Sequence, residues 1–394
     1  NKLVSDNFDF AKRQMVHMLE NIPQGEAKMP HSINGKGNTS CRSIYWWTSG
    51  FFPGILWYIN EYTGDKTFES FAKKWTEKLE PVKTFKGNHD IGFMMYCSFG
   101  NAYRLTQNEK YKDILIQSAY SLATRFNPQV GTIKSWDSWR SWENKHVFKY
   151  PVIIDNMMNL ELLFWASKAT GDPSFRNIAI SHAEKTMKYQ IRKDGSSYHL
   201  ACYDPETGNF IKGETSQGYS NESTWSRGQG WGIYGFTLCY RETKDPRFLK
   251  TAQRMADYYI NHPNLPSDKI PWWDFDTHRP GFIPGKFSKT NKYIQNYRDA
   301  SAASVTASAL LELSSYVKDD KKKIYTETAL QILTSLSSPE YRAEEGKNGN
   351  FILKHSTGAI PHGSEVDVPL IYADYYFLEA LLRYNRMINN KPIL

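Results

Sequence analysis

The sequence predicts an all-α protein, an (α/α)6 barrel in which six helix pairs close into a toroid. Two observations support this prediction. Apolar helical patterns rich in small residues alternate along the whole chain with amphipathic, charged ones. The pairs are also longer and less even than the repeats of a helical solenoid, which are regular at roughly 34 to 47 residues. A closed ring of pairs therefore fits the pattern better than an open stack, and we expect one domain spanning residues 1–394.

Six of the predicted helices have the amphipathic pattern of a protein surface. They are expected at 7–22, 65–80, 108–126, 172–190, 245–261 and 321–337. Five of them follow short polar turns, each of which ends in a residue suited to cap a helix: Asp65, Asn108, Asp172, Asp245 and Asp320. The six more apolar helices are expected at 47–62, 90–105, 155–169, 225–242, 300–317 and 367–385. A short hairpin signal at 196–208 is the main interruption.

Composition and charge narrow the range of partners. The chain has 394 residues, of which 40% are apolar, and this is enough for a substantial buried core. Its net charge of +8 is spread along the sequence rather than gathered into basic arms, which disfavours nucleic acid and suits an acidic small substrate. The 12 Trp and 25 Tyr residues are numerous, and such rings can stack on the apolar faces of sugars.

Features that bear on location are few. The sequence has no run of about 18 or more apolar residues that could span a bilayer, so we expect no membrane partner. It starts without an initiator Met or a signal h-region, which predicts a removed leader and a periplasmic protein, with the cytoplasm as the alternative. The four Cys residues form no CxxC pair and do not decide the redox compartment. We expect a monomer or a weak dimer.

The starts of the apolar helices form the candidate site, because in a ring of this kind the inner helices run the same way and begin at one mouth. Asp155 begins one of them, and neighbours such as Ile154 and Met157 would desolvate its carboxyl group. Desolvation favours the protonated form that a general acid needs. Asp90 begins another inner helix, and two carboxylates across a cleft are typical of sugar hydrolysis. The alternative is that both acids only cap helices.

The segment 216–235 concentrates amides, aromatic residues and glycines before and within an inner helix. In it, Arg227 has the planar guanidinium that suits a carboxylate ligand, although an ion pair with Glu222 or Asp155 is the structural alternative. No strand precedes its glycines, so a dinucleotide site is a poor match. The histidines are scattered rather than spaced as ligands, and we expect neither a metal nor a cofactor.

Four motifs, at 89–93, 154–156, 224–231 and 370–376, resemble those of the unsaturated glucuronyl hydrolases of glycoside hydrolase family eighty-eight. The resemblance covers nearly the whole chain and implies the same six-pair barrel. It implies an oligosaccharide substrate left by a polysaccharide lyase, with glycosaminoglycan fragments as the expected source. Asp155 would protonate C4 of the terminal 4,5-unsaturated uronic acid and then activate water for C5. Asp90 would hold the sugar hydroxyls and tune Asp155.

The resemblance also implies a set of substrate-binding residues at the positions that match the family's motifs. They are Trp47, His89, Trp136, Asn156, His199, Gln217, Trp225, Arg227 and Trp231. Family members that accept sulfated sugars carry Ser and Lys in a C-terminal loop, which 354–362 matches only loosely. The basic net charge suits sulfated fragments without choosing among them.

Three alternatives remain open from the sequence. An unsaturated rhamnogalacturonyl hydrolase or an ulvan-fragment hydrolase would have the same barrel and the same chemistry. A barrel that binds acidic oligosaccharides without catalysis belongs to another class of function, because a fold alone does not guarantee activity. An ordinary inverting glycosidase would instead hydrolyse saturated glycosides with a separate acid and base.

Overall fold

The computed structural model describes residues 1–393, and the protein is mostly helical. In chain order the α-helices are α1 (Lys2–Asn21), α2 (Phe51–Thr63), α3 (Lys66–Glu77), α4 (Ile91–Met95), α5 (Asn101–Thr106), α6 (Glu109–Ala123), α7 (Leu160–Thr170), α8 (Pro173–Tyr189), α9 (Ser226–Thr243), α10 (Pro246–Asn261), α11 (Ala300–Ser314), α12 (Asp319–Leu336) and α13 (Ile371–Ile388). All twelve helical segments expected from the sequence are present, with ends shifted by a few residues.

Two inner helices are less regular than their patterns predicted. The segment expected at 90–105 is α4 followed by a π-helical turn, Tyr96–Gly100, and then α5. The segment expected at 155–169 opens with a 3-10 turn, Ile154–Asn159, before α7 begins. The 3-10 turn contains the candidate acid Asp155, as such departures from regular helix often do in functional regions. The π-helical turn borders a different cavity.

Four of the five predicted caps are present. Asp65, Asn108, Asp172 and Asp245 each accept a hydrogen bond from the backbone N–H two residues on, at 2.8 to 3.0 Å. The prediction for Asp320 was wrong. The last of these helices begins at Asp319, so Asp320 lies in its first turn, where a negative charge is favoured by the helix dipole.

The helices alternate in burial as predicted. All residues of α11 are buried, and most of those in α9 and α13 are too, whereas α3, α6, α8, α10 and α12 each bury one face. Helices α2 and α3, α7 and α8, α9 and α10, and α11 and α12 pack as consecutive pairs. The more buried helices also contact one another, α2 with α13, α13 with α11 and α11 with α9. Their side chains form one large apolar core.

Short strands fill the connections between helices. They are β1 (Lys28–Ile33), β2 (Thr39–Ser43), β3 (Phe126–Asn127), β4 (Thr132–Ile133), β5 (Trp139–Arg140), β6 (Val147–Phe148), β7 (Tyr150–Ile153), β8 (Leu200–Tyr203) and β9 (Phe210–Glu214). The predicted hairpin is present as β8 and β9, and β7 joins it in an antiparallel sheet of order β7-β8-β9. The β1–β2 hairpin was not predicted.

Two further properties concern bilayers and cysteines. None of the helices between residues 1 and 393 is long and apolar enough to cross a membrane. The four cysteines are free thiols, of which Cys202 and Cys239 are buried and Cys41 and Cys97 partly so.

Candidate active site

A cavity of about 480 Å³ opens where several apolar helices begin. Its lining comes from the segments that precede α2, α4, α7, α9 and α13. The lining residues are Trp46, Trp47, Asn88, Asp90, Trp136, Trp139, Ile153, Asp155, Ser216, Gln217, Ala359, His362, Ser364 and Glu365. Among the described residues, none at the start of α11 lines the cavity. The cavity is therefore formed at the starts of five inner helices instead of the six that were predicted.

Asp155 lies in the 3-10 turn that follows β7 directly. Strand β7 is fixed by its pairing with β8, and it delivers Asp155 to the cavity with only 6% of the residue exposed. The predicted apolar surroundings are present, since Ile153, Ile154, Met157 and Met158 are all buried. The capping alternative was wrong for this residue, because its carboxylate makes no capping hydrogen bond to the turn or to α7.

His199 is the nearest titratable neighbour of Asp155, with 3.5 Å between His199 Nε2 and Asp155 Oδ1. Its other ring nitrogen, Nδ1, accepts hydrogen bonds from the backbone N–H groups of Ser216 at 3.0 Å and Gln217 at 3.2 Å. Burial lowers the pKa of His199 more than the nearby carboxylate raises it. The ring is therefore neutral at pH 7, with its proton on the Nε2 that faces Asp155.

Asp90 has a similar partner. His89 is completely buried, and its Nε2 lies 3.2 Å from Asp90 Oδ1. The Nδ1 atom of His89 lies 3.2 Å from the Ser135 hydroxyl, which also accepts the backbone N–H of Ile153 at 2.9 Å. The capping alternative was wrong here too, since the Asp90 side chain makes no capping bond to α4. Ser135 thus connects His89, which supports Asp90, to strand β7, which leads directly into the turn of Asp155.

Three polar atoms between these acids are buried but accept or donate no aligned hydrogen bond within the described chain. They are Asp155 Oδ1, His89 Nε2 and His199 Nε2. Burying polar groups without partners costs roughly 1–3 kcal/mol each, and a ligand that pairs with them would recover that cost. Their convergence on one cavity marks the reacting end of the site.

A direct contact sets the spacing of the two acids. The backbone N–H of Phe93, in α4, donates to Asn159 Oδ1 at 2.9 Å, and Asn159 ends the turn that holds Asp155. At Gly92 an added Cβ would lie 2.5 Å from Asn159 Oδ1. Only glycine allows the two backbone segments to approach this closely.

A third carboxylate in the lining, Glu365, also pairs with a histidine. His31 Nε2 lies 2.6 Å from Glu365 Oε1, and His31 Nδ1 lies 3.0 Å from the Thr48 hydroxyl. Burial raises the pKa of Glu365, but the His31 hydrogen bond and the nearby positive charges outweigh it, so the pKa is lowered overall. Glu365 is ionised at neutral pH, and its backbone has φ of 56°, an uncommon value for a non-glycine residue.

Tryptophans form the apolar sides of the cavity. Trp47 packs against Tyr372 with ring centroids 4.8 Å apart, and Trp136 packs against Trp139 at 6.0 Å. The Trp139 ring is oriented by its indole N–H, which donates to the buried Glu214 at 2.7 Å. Flat aromatic surfaces of this kind suit the apolar faces of a sugar ring.

The predicted site residues fall into two groups. Asp90, Asp155, Trp47, Trp136 and Gln217 line the cavity, and the Gln217 amide donates to Gly358 O at 3.2 Å. The others lie behind the lining and support it: His89, Asn156, His199, Trp225, Arg227 and Trp231.

The supporting residues have defined contacts. Asn156 donates to Ile133 O at 3.0 Å. The Trp225 ring packs at an angle against His199, with ring centroids 4.6 Å apart, and Trp231 packs against Phe93 at 5.2 Å. These contacts hold the turn of Asp155, the ring of His199 and helix α4 in place.

Arg227 is fully buried, and its ion-pair partner differs from both candidates considered from the sequence. Its Nη1 lies 2.9 Å from Asp299 Oδ2 and also donates to Thr357 O at 2.6 Å. Its Nη2 donates to Gly358 O at 2.8 Å, and the guanidinium stacks on Trp225. Arg227 therefore fixes the loop before α13 to the start of α9. Its positive charge acts on the site from behind the lining residues, without contacting the cavity.

The sequence missed several lining residues. They are Asn88, Trp139, Ser216, Ala359, His362 and Ser364. Trp46 and Glu365 also line the cavity, and they stand at the starts of apolar helices, where the sequence predicted the site. Ile153 lines it as part of the apolar surroundings expected for Asp155. His362 reaches the cavity from a three-residue 3-10 turn and Trp139 from the two-residue strand β5, and both elements are too short to give a periodic signal.

No group of three or more His, Cys, Asp or Glu side chains in residues 1–393 is arranged to hold a metal ion.

The helical fold, together with paired carboxylates in a tryptophan-lined cavity, is typical of a glycoside hydrolase. The chain belongs to Glycosyl Hydrolase Family 88, whose pattern matches residues 21–240. It is 46% identical over 343 residues to the unsaturated glucuronyl hydrolase of Formosa agariphila, covering 87% of this chain and 80% of that protein. It is 34% identical over 372 residues to the unsaturated glucuronyl hydrolase of Bacillus sp. (strain GL1), covering 93% of each.

A solved structure supports the same assignment. The chain is similar to an unsaturated glucuronyl hydrolase specific for heparin, with 45% identity and a TM-score of 0.90. The match covers 100% of this chain and 99% of that one. The likeness therefore extends beyond the residues of the family match to the C-terminal helices.

Proposed function

We propose that this enzyme is an unsaturated glucuronyl hydrolase. It removes the 4,5-unsaturated uronic acid from the non-reducing end of oligosaccharides that polysaccharide lyases produce. One observation carries the proposal: Asp155, with an unpartnered buried oxygen, shares a tryptophan-sided cavity with Asp90 in a chain 46% identical to such an enzyme.

The reaction is a hydration, and Asp155 is the group proposed to move the proton. Its carboxylic acid donates a proton to C4 of the vinyl ether, and positive charge develops at C5 and the ring oxygen. Water then adds to C5 and gives a proton back to Asp155. The C5–ring oxygen bond of the hemiketal breaks, C5 becomes a ketone, and C1 collapses to an aldehyde as the remaining sugar leaves. One water molecule is added in total.

The histidines explain how Asp155 and Asp90 can serve this cycle. The Nε2–H of His199 faces the Asp155 carboxylate, so it stabilises the charge that appears when the proton has left. His89 Nε2 faces Asp90 in the same way, and we assign Asp90 to the sugar hydroxyls. Arg227 lies behind the cavity lining and adds positive electrostatic potential to the site. Its hydrogen bonds hold the guanidinium in place, so it does not move toward the substrate.

We also propose that the helices close as one (α/α)6 domain over residues 1–394. The contacts supporting this run from α9 through α11 and α13 to α2, and α2 in turn contacts the π-helical turn beside α4. Helix α4 contacts the turn of Asp155, which contacts α9. A periplasmic location and a monomer or weak dimer remain predictions.

We take glycosaminoglycan fragments as the substrates, because a relative 45% identical over the whole chain is specific for heparin. Ulvan and rhamnogalacturonan fragments carry the same reacting group and are the second candidates. A panel of unsaturated disaccharides from each source separates them by rate.

The test follows the ultraviolet absorbance of the conjugated double bond, which hydration destroys. Wild type should remove the absorbance, and Asp155→Asn should slow this by roughly 10²–10⁴-fold, the usual contribution of acid-base catalysis. Asp113→Asn, the same change at an exposed position of α6, should leave the rate unaltered. Binding of the substrate without any loss of absorbance by wild type would favour a non-catalytic protein. Cleavage of saturated glycosides instead would favour an ordinary glycosidase.

A further inference from the structure

The charges that line the cavity are unexpected for a site that takes an acidic sugar. Three lining residues are acids, namely Asp90, Asp155 and Glu365, while none of the lining residues within 1–393 is Lys or Arg. His362 does not compensate, since burial lowers its pKa and leaves the ring neutral at pH 7. The net charge of +8 therefore resides elsewhere on the molecule, and the inside of the cavity is acidic.

Glu365 differs from the other two acids in its position. The side chains of Asp155 and Asp90 are 8% and 11% exposed, whereas the Glu365 side chain is 20% exposed. Its partner His31 contacts Trp46, which is 41% exposed, with ring centroids 6.1 Å apart. Glu365 thus lies nearer the opening of the cavity than the two Asp residues. If the terminal uronate binds at Asp155 and Asp90, the rest of the oligosaccharide must pass this opening.

The conformation of Glu365 is fixed on two sides. His31 holds Oε1, and Oε2 lies beside Gly358, where an added Cβ would be 2.1 Å from it. Gly358 O in turn accepts hydrogen bonds from Gln217 and Arg227. A carboxylate offers about four acceptor positions, and His31 occupies one of them. The Glu365 carboxylate is therefore held in place and still has acceptor positions available for a ligand.

We propose that Glu365 is a specificity-determining residue that accepts a hydrogen bond from a hydroxyl or ammonium group on the sugar next to the unsaturated uronate and disfavours sulfate there. The inference rests on the proposed function and deepens it. A carboxylate only accepts hydrogen bonds, and so does a sulfate ester, so the two cannot pair. Two negative charges in contact also repel, whereas an amine or hydroxyl supplies the missing donor.

The preference that Glu365 imposes is opposite to the one expected from the net charge of the protein. A basic protein attracts anionic chains at long range, but the choice among them is made by groups within contact distance. Arg42 stacks on Trp46 at 5.4 Å and carries positive charge outside the lining. A sulfate that reached Arg42 in preference to Glu365 would make sulfated substrates the better ones.

The experiment compares disaccharides that are identical except for sulfate on the second sugar, together with one that carries a free amine there. Values of kcat/KM from the loss of double-bond absorbance are measured for wild type, Glu365→Gln and Glu344→Gln. Glu344 is exposed and lies outside the cavity lining, so the control makes the same chemical change without touching the substrate.

Wild type should prefer the unsulfated and amino substrates, and Glu365→Gln should reduce that preference roughly tenfold, mainly through KM for the sulfated one. Glu344→Gln should keep the wild-type ratio. Should Glu365→Gln fold poorly, Glu365→Ser, which also removes the charge, must show the same change in ratio. An unchanged ratio, or a wild type that prefers sulfated substrates, overturns the inference alone. Absence of turnover by wild type on every unsaturated substrate overturns the proposed function and the inference together.

Discussion

Glu214 shows how a single buried side chain can shape a site that it does not enter. Its carboxylate accepts the indole N–H of Trp139 at 2.7 Å and the hydroxyl of Ser141 at 2.8 Å, and the residue is completely buried. Lys212 Nζ lies 3.3 Å from the same carboxylate. The orientation of a cavity tryptophan is therefore set from strand β9, far away in sequence.

Glu214→Ala should raise KM several-fold and change kcat less, because Trp139 contacts sugar instead of reacting with it. The loss of the acceptor leaves two buried donors unpaired, at roughly 1–3 kcal/mol each, and frees the indole to turn. Steady-state kinetics and the tryptophan emission spectrum measure both effects. Glu143→Ala, which removes an exposed partner of the same Lys212, is the control and should alter neither. A lower melting temperature together with a normal KM would contradict the positioning role.

The residue scale also shows what a sequence can and cannot predict. Asp155 and Asp90 could be singled out because each begins an apolar helix, and position in a helical period is a local property. The pairs His31–Glu365 and Trp139–Glu214 join residues 334 and 75 positions apart, so no local pattern marks them. Arg227 was recognised as special from its motif, but only the fold could supply Asp299 as its partner.

At the scale of elements, helices were predicted well and strands poorly. The alternation of burial survives in every helix pair because it reflects the 3.6-residue period over many turns. Strands β3 to β6 have two residues each, too short for any period to appear. The 3-10 turn at Asp155 and the π-helical turn after α4 are departures from helical geometry that only packing against neighbouring segments specifies.

His182 connects helix α8 to the turn of Asp155 through hydrogen bonds. It lies in α8, and its Nδ1 accepts the backbone N–H of Ile133, whose carbonyl accepts the Asn156 amide next to Asp155. Burial lowers the pKa of His182 to about 3, below the ordinary value of 6.5. As pH falls from 6.5 towards 3, the unfolded chain takes up a proton that the folded protein refuses, so this residue's stabilisation is present above pH 6.5 and is lost on acidification.

His182→Gln should therefore flatten the fall of the melting temperature between pH 7 and pH 4, even if the variant is less stable at pH 7. Thermal unfolding followed by circular dichroism at several pH values measures this. His146→Gln, at an exposed position, should keep the wild-type pH dependence. A wild-type slope in His182→Gln would show that other groups dominate acid unfolding.

At the scale of the whole molecule, charged groups join the inner helices at the end opposite the acids. A second cavity of about 350 Å³ lies there, bordered by acids and arginines together with tyrosines. Arg383 of α13 is fully buried, lies 3.1 Å from Glu312 of α11 and donates to Tyr234 of α9 at 2.8 Å. One side chain thus connects three inner helices.

Arg383→Met should shift urea unfolding to lower concentrations, because breaking a buried ion pair leaves acids without their partner and costs about 3–5 kcal/mol. The matched change at an exposed ion-paired arginine, Arg247→Met, should cause a much smaller shift. Equal shifts in the two variants would mean that the buried network does not hold the helices together. Activity under native conditions should survive in both, since neither residue lines the cavity of the acids.

The contact between Gly92 and Asn159 has a consequence for motion. The helix that carries Asp90 and the turn that carries Asp155 touch directly, and a hydrogen bond from Phe93 closes the contact. We therefore expect a displacement of either segment to be passed to the other. The distance between the two carboxylates should then vary less than the position of either one, so that the proton donor and its partner keep their alignment while the surrounding cavity adjusts to the substrate.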